Sequence, residues 1–180
     1  MTSMDRADIV HENFLRRVAE QDLGFKTSDL SLAEAGLTNE QLVSLFYSQA
    51  LSRQLDRKSR KMQAQGQGFY TIGSSGHEGS AAIASAFRPG DMAFLHYRDA
   101  AFQIARAAQV PSQTPLWDML LSFSTAISDP ISGGRHKVLG SKALTIPPQT
   151  STIASHLPKA VGTAYSVGMA KRIKPEHQAL

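Results

Sequence analysis

The sequence HYRDAAFQIARA occupies positions 96–107 and directly follows the short apolar run 92–95. This order predicts a strand that hands over to a helix, with Tyr97 and Arg98 at the junction. Ligands of open α/β sheets bind at such junctions. A guanidinium can engage two oxygens of a phosphate ester, and a phenol adds a third donor. The pair therefore indicates an anion site, and the alternative is a tyrosine that closes the strand beside an arginine paired with Asp99.

Length and composition favour one globular domain of an ordinary kind. The 180 residues are 42% hydrophobic, which is enough for a sizeable core. The absence of cysteine excludes disulfides and thiolate metal sites. Positions 1–14 lack the apolar run of a signal peptide, and no apolar segment is long enough to span a membrane. We therefore expect a soluble, cytoplasmic protein that does not act at a membrane.

Basic residues cluster at positions 53–61, and the net charge is +4. Such a run can contact nucleic acid, but aromatic residues do not interleave with it and no nucleic-acid motif accompanies it. A basic run on a helix is usually a solvated face. Nucleic-acid binding is not expected.

Helical periodicity and capping signals divide the first half of the chain. Apolar residues predict a helix at 6–20, and Thr38 with Gln41 has the spacing of a capping box that opens a helix ending near Gln63. Leu42, Leu45, Phe46 and Gln49 are expected to share one face of that long helix. A second capping box, formed by Ser75 and Glu78, predicts the start of the next helix.

The second half predicts helices at 99–109, from Thr114–Pro115 onward, and from Ser155 to about Arg172. Residues 128–152 are the least regular part and predict a long loop. Helices that alternate with few strands predict the α/β class, predominantly helical with a few parallel strands. The expected organisation is an N-terminal helical arm and linker at 1–37, followed by a domain at 38–180.

Four motifs are more specific together than alone: FYxxxxSGHEG at 69–79, HYRDA at 96–100, GGR at 133–135 and TSTIASHLPKAVG at 150–162. In order and spacing they resemble the alpha part of the thiamine diphosphate-dependent 2-oxo acid dehydrogenases. The resemblance covers about residues 40–174 and is closest to the branched-chain members, including forms in which alpha and beta parts are fused. It implies an incomplete thiamine diphosphate-binding fold.

The resemblance implies cofactor roles for two pairs of residues. Tyr97 and Arg98 would hold the diphosphate, and the backbone of Ser151 and Ile153 would contact the aminopyrimidine. No catalytic residue is assigned within the chain.

The resemblance also implies two further groups of site residues. The substrate side or the active-site loop would include Tyr70, Arg135 and His136. A potassium site would involve Thr150, Ser155 and His156, although histidine replaces the glutamine usual in the family. The spacing of Glu78 favours a capping role, and His77 at a helix start is expected to be solvated.

The implied cofactors are thiamine diphosphate and Mg²⁺. The Gly-Asp-Gly motif and the asparagine that bind magnesium in the family do not occur in this sequence, so its ligands are expected outside the chain. The implied reaction is oxidative decarboxylation of a branched-chain 2-oxo acid, for example 3-methyl-2-oxobutanoate, with acyl transfer to lipoyl. The expected partners are a beta part and a lipoyl-bearing acyltransferase.

From this follows an expectation that the chain is an N-terminal fragment, inactive alone and prone to oligomerise through exposed apolar surface. Two alternatives stay open. One is the alpha part of a pyruvate or acetoin dehydrogenase, and the other is a non-catalytic assembly module.

Overall fold

The computed structural model describes residues 5–24, 30–69, 73–135 and 137–173. The chain forms two compact units, Met1–Leu42 and Val43–Leu180, and each is described by itself.

The described residues form six helices and a two-stranded sheet. In chain order these are α1 (Arg6–Ala19), α2 (Asn39–Ala64), α3 (Ser80–Ala86), α4 (Ala100–Ala107), α5 (Pro115–Phe123), β1 (Leu139–Ser141), β2 (Ile146–Gln149) and α6 (His156–Ile173). The helix-rich character expected from the sequence is confirmed.

Local capping explains where several helices begin. Asp5 accepts a hydrogen bond from the Ala7 N–H at 3.1 Å and so caps α1. The predicted capping box of α2 is confirmed, because the Thr38 N–H donates to Gln41 Oε1 at 2.8 Å and the Gln41 N–H to Thr38 Oγ1 at 3.2 Å. Pro115 occupies the first turn of α5, where its missing N–H costs nothing.

The second predicted capping box is wrong. Helix α3 begins only at Ser80, with Gly79 as its N-cap. The Glu78 carboxylate instead accepts a hydrogen bond from the Gly76 N–H at 2.9 Å and pairs with Arg53 Nε at 3.2 Å. The ion pair with another segment outweighs the local capping pattern.

The expectation of a few parallel strands is wrong for the described residues. Strands β1 and β2 pair antiparallel as a hairpin, and they lie within the predicted long loop 128–152. The predicted strand 92–95 is extended chain without strand pairing. The backbone hydrogen bond that this segment makes runs from the Ala93 N–H to the Thr145 carbonyl at 3.1 Å. One such bond does not make a ladder.

The core surrounds α4, in which every residue is buried. Alanines of α3 and α4 allow the two helices to pack closely, and this contact continues into Leu95, Leu144 and Ile146. A second cluster joins the opposite side of α4 to α2, α5 and β1. Its buried members are Leu55, Met62, Ala100, Ile104, Met119, Phe123 and Leu139.

Two polar side chains of α4 connect it to the surrounding backbone. Gln103 donates to the Gly140 carbonyl at 3.1 Å and accepts from the Gly140 N–H at 3.1 Å, which fixes β1 against the helix. Arg106 is fully buried and donates to the carbonyls of Asp91 at 2.6 Å and Leu144 at 3.3 Å. Its guanidinium also lies 4.7 Å from the centre of the Phe102 ring.

The buried face of α2 differs from the predicted one. Leu42 and Phe46 are exposed, whereas the buried residues are Ser48, Ser52, Leu55, Asp56, Ser59 and Met62. The hydroxyls of Ser48 and Ser59 donate to backbone carbonyls within the helix, so these buried groups each have a hydrogen-bond partner.

Helix α6 carries no buried residue, although it contains many apolar side chains. Val161 and Tyr165 are 70% and 69% exposed. Among the described residues, no helix is long and apolar enough to cross a membrane.

We expect Leu144→Ala to lower the free energy of unfolding by about 2–5 kcal/mol, because Leu144 is 1% exposed in the core and its truncation leaves a cavity. Val161→Ala on α6 should change it by no more than about 0.5 kcal/mol, because Val161 is already exposed. Urea denaturation followed by circular dichroism measures both. Equal losses in the two variants would contradict the assignment of the core.

Candidate functional site

Tyr97 and Arg98 lie in a turn between the extended segment 92–96 and α4. The predicted position at the entrance to a helix is therefore confirmed. Both residues are partly buried. The Arg98 Nε donates to the Gly73 carbonyl at 2.8 Å, which fixes the guanidinium against a loop that precedes α3. The alternative pairing of Arg98 with Asp99 is not observed.

The outer donors of this pair are available for a ligand. Within the described part of the chain, neither Arg98 Nη nor the Tyr97 hydroxyl makes a hydrogen bond. The Tyr97 ring instead packs on His96, with centroids 4.1 Å apart. An arginine that is anchored through Nε keeps two terminal N–H groups for an oxyanion.

Gly73 is held in place by Asp56 of α2. A β-carbon at Gly73 would overlap the Asp56 carboxylate, so only glycine fits here. Asp56 is 4% exposed, and its Oδ2 lies 3.6 Å from Arg60 Nε. The buried carboxylate therefore fixes the carbonyl that in turn orients Arg98.

The rest of the loop is tied to α2 by Arg53. Its guanidinium donates to the Ser75 hydroxyl and pairs with Glu78 at 3.2 Å. We call residues 73–79 the anchor loop, because they are bound to α2 and carry the acceptor for Arg98.

Lys137 adds a second cationic group near Arg98. It is 8% exposed, and its Nζ lies 5.3 Å from the centre of the Phe123 ring. Burial lowers the pKa of Lys137 to about 8, Asp56 opposes this shift, and Arg98 adds to it. The effect of Arg98 on this pKa shows that the two cationic side chains lie in one region, which favours the binding of an anion there.

A cluster of imidazoles lies beside Tyr97. The His77 and His96 rings are stacked with centroids 5.0 Å apart, and the His156 ring meets His96 edge-on at 5.6 Å. His77 Nδ1 lies 3.3 Å from Asp99 Oδ1. Burial lowers the pKa of His96, with Asp99 opposing this and the neighbouring His77, His156 and Arg98 adding to it. The contact between His96 and His156 places the start of α6 close to the Tyr97 turn.

The other predicted cofactor contacts lie in the turn between β2 and α6. Ser151 is partly buried and Ile153 is 78% exposed. No hydrogen bond between described residues joins either of them to Tyr97 or Arg98. His156, at the start of α6, links this turn to the Tyr97 region through its contact with His96.

The loop that carries Arg135 depends on glycine. Gly134 has a φ of +76°, and a β-carbon there would collide with the Thr125 carbonyl. Arg135 is exposed, and its Nη1 donates to the Ser132 carbonyl at 3.2 Å. The predicted site residues Tyr70 and His136 lie outside the described residues.

The residues of the predicted potassium site are arranged around an amide. Gln149 is 1% exposed, and its Nε2 donates to the Thr150 carbonyl at 3.0 Å and to Ser155 Oγ at 2.7 Å. An N–H donor thus lies where a cation would need these oxygens. This arrangement does not fit potassium, and no role for that ion is proposed.

Sequence reasoning missed Gly73, Asp56, Lys137 and the imidazole cluster. An aspartate within a basic helical run gives no sign of burial, and Lys137 belongs to a segment that was predicted to be an irregular loop. The available signal was the histidine in each of three motifs, at positions 77, 96 and 156.

No protein-family model matches the chain. The chain is similar to the 2-oxoisovalerate dehydrogenase subunit alpha of Bacillus subtilis (strain 168), with 28% identity over 142 residues, which cover 76% of the chain. It spans 41% of the length of that relative. The similarity supports a relationship to the alpha subunits of 2-oxo acid dehydrogenases.

We expect Gly73→Ala to lower the free energy of unfolding by about 1–3 kcal/mol, because the new methyl group must displace the buried Asp56 carboxylate. Gly79→Ala is the matched control, since a β-carbon at Gly79 meets nothing within 4 Å and alanine adopts its φ of −60° and ψ of −17° without strain, so this variant should not lose stability. Chemical denaturation of both variants measures the difference. A neutral Gly73→Ala variant would show that Asp56 does not fix the anchor loop.

Stability should rise between pH 8 and pH 10.5, because Lys137 has a pKa of about 8 when folded and an ordinary value of 10.5 when unfolded. In this window the unfolded chain binds more protons, so the free energy of unfolding increases by up to about 1.4 kcal/mol per pH unit. Lys137→Met should lack this rise, whereas the exposed Lys142→Met should keep it. Urea titrations at pH 7 to 10 check the slopes, and parallel curves for all three proteins would rule out the shift.

Proposed function

We propose that the chain is the diphosphate-binding portion of the alpha component of a thiamine diphosphate-dependent 2-oxo acid dehydrogenase that acts on branched-chain 2-oxo acids. The observation that carries this proposal is the anchored Arg98, whose Nε is bonded to Gly73 while its terminal nitrogens stay available beside Tyr97. The similarity to a 2-oxoisovalerate dehydrogenase subunit alpha supports the choice of family and substrate class.

The surroundings of Arg98 prepare it to bind a phosphate group. A long side chain normally loses conformational freedom when it binds a ligand, and the bond to Gly73 removes part of that cost in advance. Lys137 raises the local positive potential. In this proposal Arg98 and Tyr97 bind the diphosphate oxygens and determine affinity more than the chemical step.

The turn before α6 takes the other end of the cofactor in this proposal. The backbone of Ser151 and Ile153 would contact the aminopyrimidine, and the exposure of Ile153 leaves room for a ring there. Arg135 would meet the substrate carboxylate from its exposed loop, together with Tyr70 and His136.

When bound, thiamine diphosphate supplies the nucleophilic carbon and the electron sink for decarboxylation. This chain contributes binding and orientation. We further propose that magnesium ligands, a beta component and a lipoyl-bearing acyltransferase come from outside the 180 residues, and that the acyl group passes to lipoyl.

Arg98→Ala in the enzyme assembled with its beta component should raise the thiamine diphosphate concentration for half-maximal activity about 10- to 100-fold, because charged hydrogen bonds to phosphate are lost. Arg88→Ala is the matched control, since the Arg88 side chain is 87% exposed and pairs, among the described residues, with the neighbouring Asp91 alone. Activity is followed with 3-methyl-2-oxobutanoate at increasing cofactor concentration. An unchanged requirement in Arg98→Ala would remove the phosphate role from Arg98.

The purified 180-residue chain should not turn over 3-methyl-2-oxobutanoate, because the sequence lacks the magnesium-binding motif of the family. Carbon dioxide release by the isolated chain would contradict this.

With the assembled enzyme, faster turnover of pyruvate than of the branched-chain acid would refute the proposed substrate class while keeping the cofactor role.

A further inference from the structure

The proposed function gives no role to the imidazole cluster of His77, His96 and His156. We infer that His77, His96 and Asp99 form a binding site for a divalent transition-metal ion such as Zn²⁺. Each of the three offers one ligand atom, and these atoms all lie within 4.8 Å of one another. Two imidazoles and one carboxylate suit zinc, cobalt and iron better than magnesium or calcium, which prefer oxygen ligands.

The spacing of the donors fits such an ion. His77 Nδ1 and Asp99 Oδ1 are 3.3 Å apart. Two ligands of a tetrahedral zinc ion, each about 2.1 Å from the metal, are separated by about 3.4 Å. His77 and Asp99 therefore need almost no adjustment. The His96 ring is stacked on His77 and must rotate to join them, because the lone pair of an imidazole nitrogen lies in the ring plane.

The carboxylate is oriented for this role by the backbone. Asp99 Oδ2 accepts a hydrogen bond from the His96 N–H at 2.9 Å, so Oδ1 faces His77. A ligand that is held through its second oxygen is typical of protein metal sites.

A second observation points to a missing polar group at this place. His156 Nδ1 is buried and has no hydrogen-bond partner among the described residues, and its ring lies beside His96. A buried nitrogen without a partner is costly. A metal ion with an open coordination position, or a water bound to that ion, would provide such a group next to His156.

Metal binding also costs one existing hydrogen bond. His96 Nδ1 accepts a long hydrogen bond of 3.3 Å from the Arg98 N–H. That bond is lost if Nδ1 binds the ion, and equally if Nε2 binds and Nδ1 takes the proton. The His77 side chain is 36% exposed, so an ion can reach the cluster from solvent.

The ion would join the anchor loop, through His77, to the start of α4, through His96 and Asp99. These residues flank the turn that carries Tyr97 and Arg98. This inference does not rest on the proposed function, because a metal bound here would stabilise the turn whatever the turn binds.

The test uses metal titration of the 180-residue chain after removal of metals with a chelator. Co²⁺ should bind with one-to-one stoichiometry and give the visible absorption bands of a nitrogen- and oxygen-ligated ion, and Zn²⁺ should displace it. His77→Ala and Asp99→Asn should each weaken Zn²⁺ binding at least tenfold in calorimetry. His11→Ala, which removes a histidine of α1, is the matched control and should bind as the unmodified chain does.

A measurement on the unmodified chain covers the case in which a variant fails to fold. Saturating Zn²⁺ should protect His77 and His96 from acylation by diethyl pyrocarbonate, as read by mass spectrometry, while His11 stays reactive. The inference is overturned if no Co²⁺ bands form, if His77→Ala binds zinc like the unmodified chain, or if zinc protects no histidine of the cluster. The contact between His77 and Asp99 would then be only a hydrogen bond.

Discussion

The complete burial of α4 is the constraint on which the rest of the structure depends. Water cannot reach polar side chains on a buried helix, and Arg106 leaves Nε and Nη2 without a hydrogen-bond partner among the described residues. Gln103 and the Arg106 Nη1 bond to the backbone around the helix. These bonds fix β1 and the extended segment before the helix. Because Asp99 is the N-cap of α4, the same constraint determines where the Tyr97–Arg98 turn lies.

The site is built from groups whose burial costs stability. Asp56 has one carboxylate oxygen without a hydrogen-bond partner among the described residues, and Lys137 titrates well below the usual range of a lysine. Asp56 packs against Gly73, whose carbonyl accepts a hydrogen bond from Arg98. The burial of Asp56 and Lys137 thus lowers local stability, while the Arg98 guanidinium is already oriented before any ligand binds.

Local signals in the sequence predicted what local physics decides. The capping box at Thr38, the proline at position 115 and the start signal at Ser155 each act within a few residues, and the corresponding helices formed. The signals failed where distant segments compete. Glu78 pairs with Arg53 of α2 instead of capping a helix, and the run 92–95 makes no strand because no neighbouring strand pairs with it among the described residues. The resemblance identified Tyr97 and Arg98 in the sequence. The contact of Asp56 with Gly73, whose carbonyl accepts from Arg98, joins segments that are distant in the sequence and so could not be predicted from it.

The exposure of α6 has a consequence for the dynamics of the chain. A helix without buried side chains can open without disturbing the core, so its amide protons should exchange with solvent through local events. The amides of α4 have no such route, since freeing them disrupts both clusters and the hairpin. The chain should therefore combine a slowly exchanging centre with a helix α6 whose amides exchange through local opening.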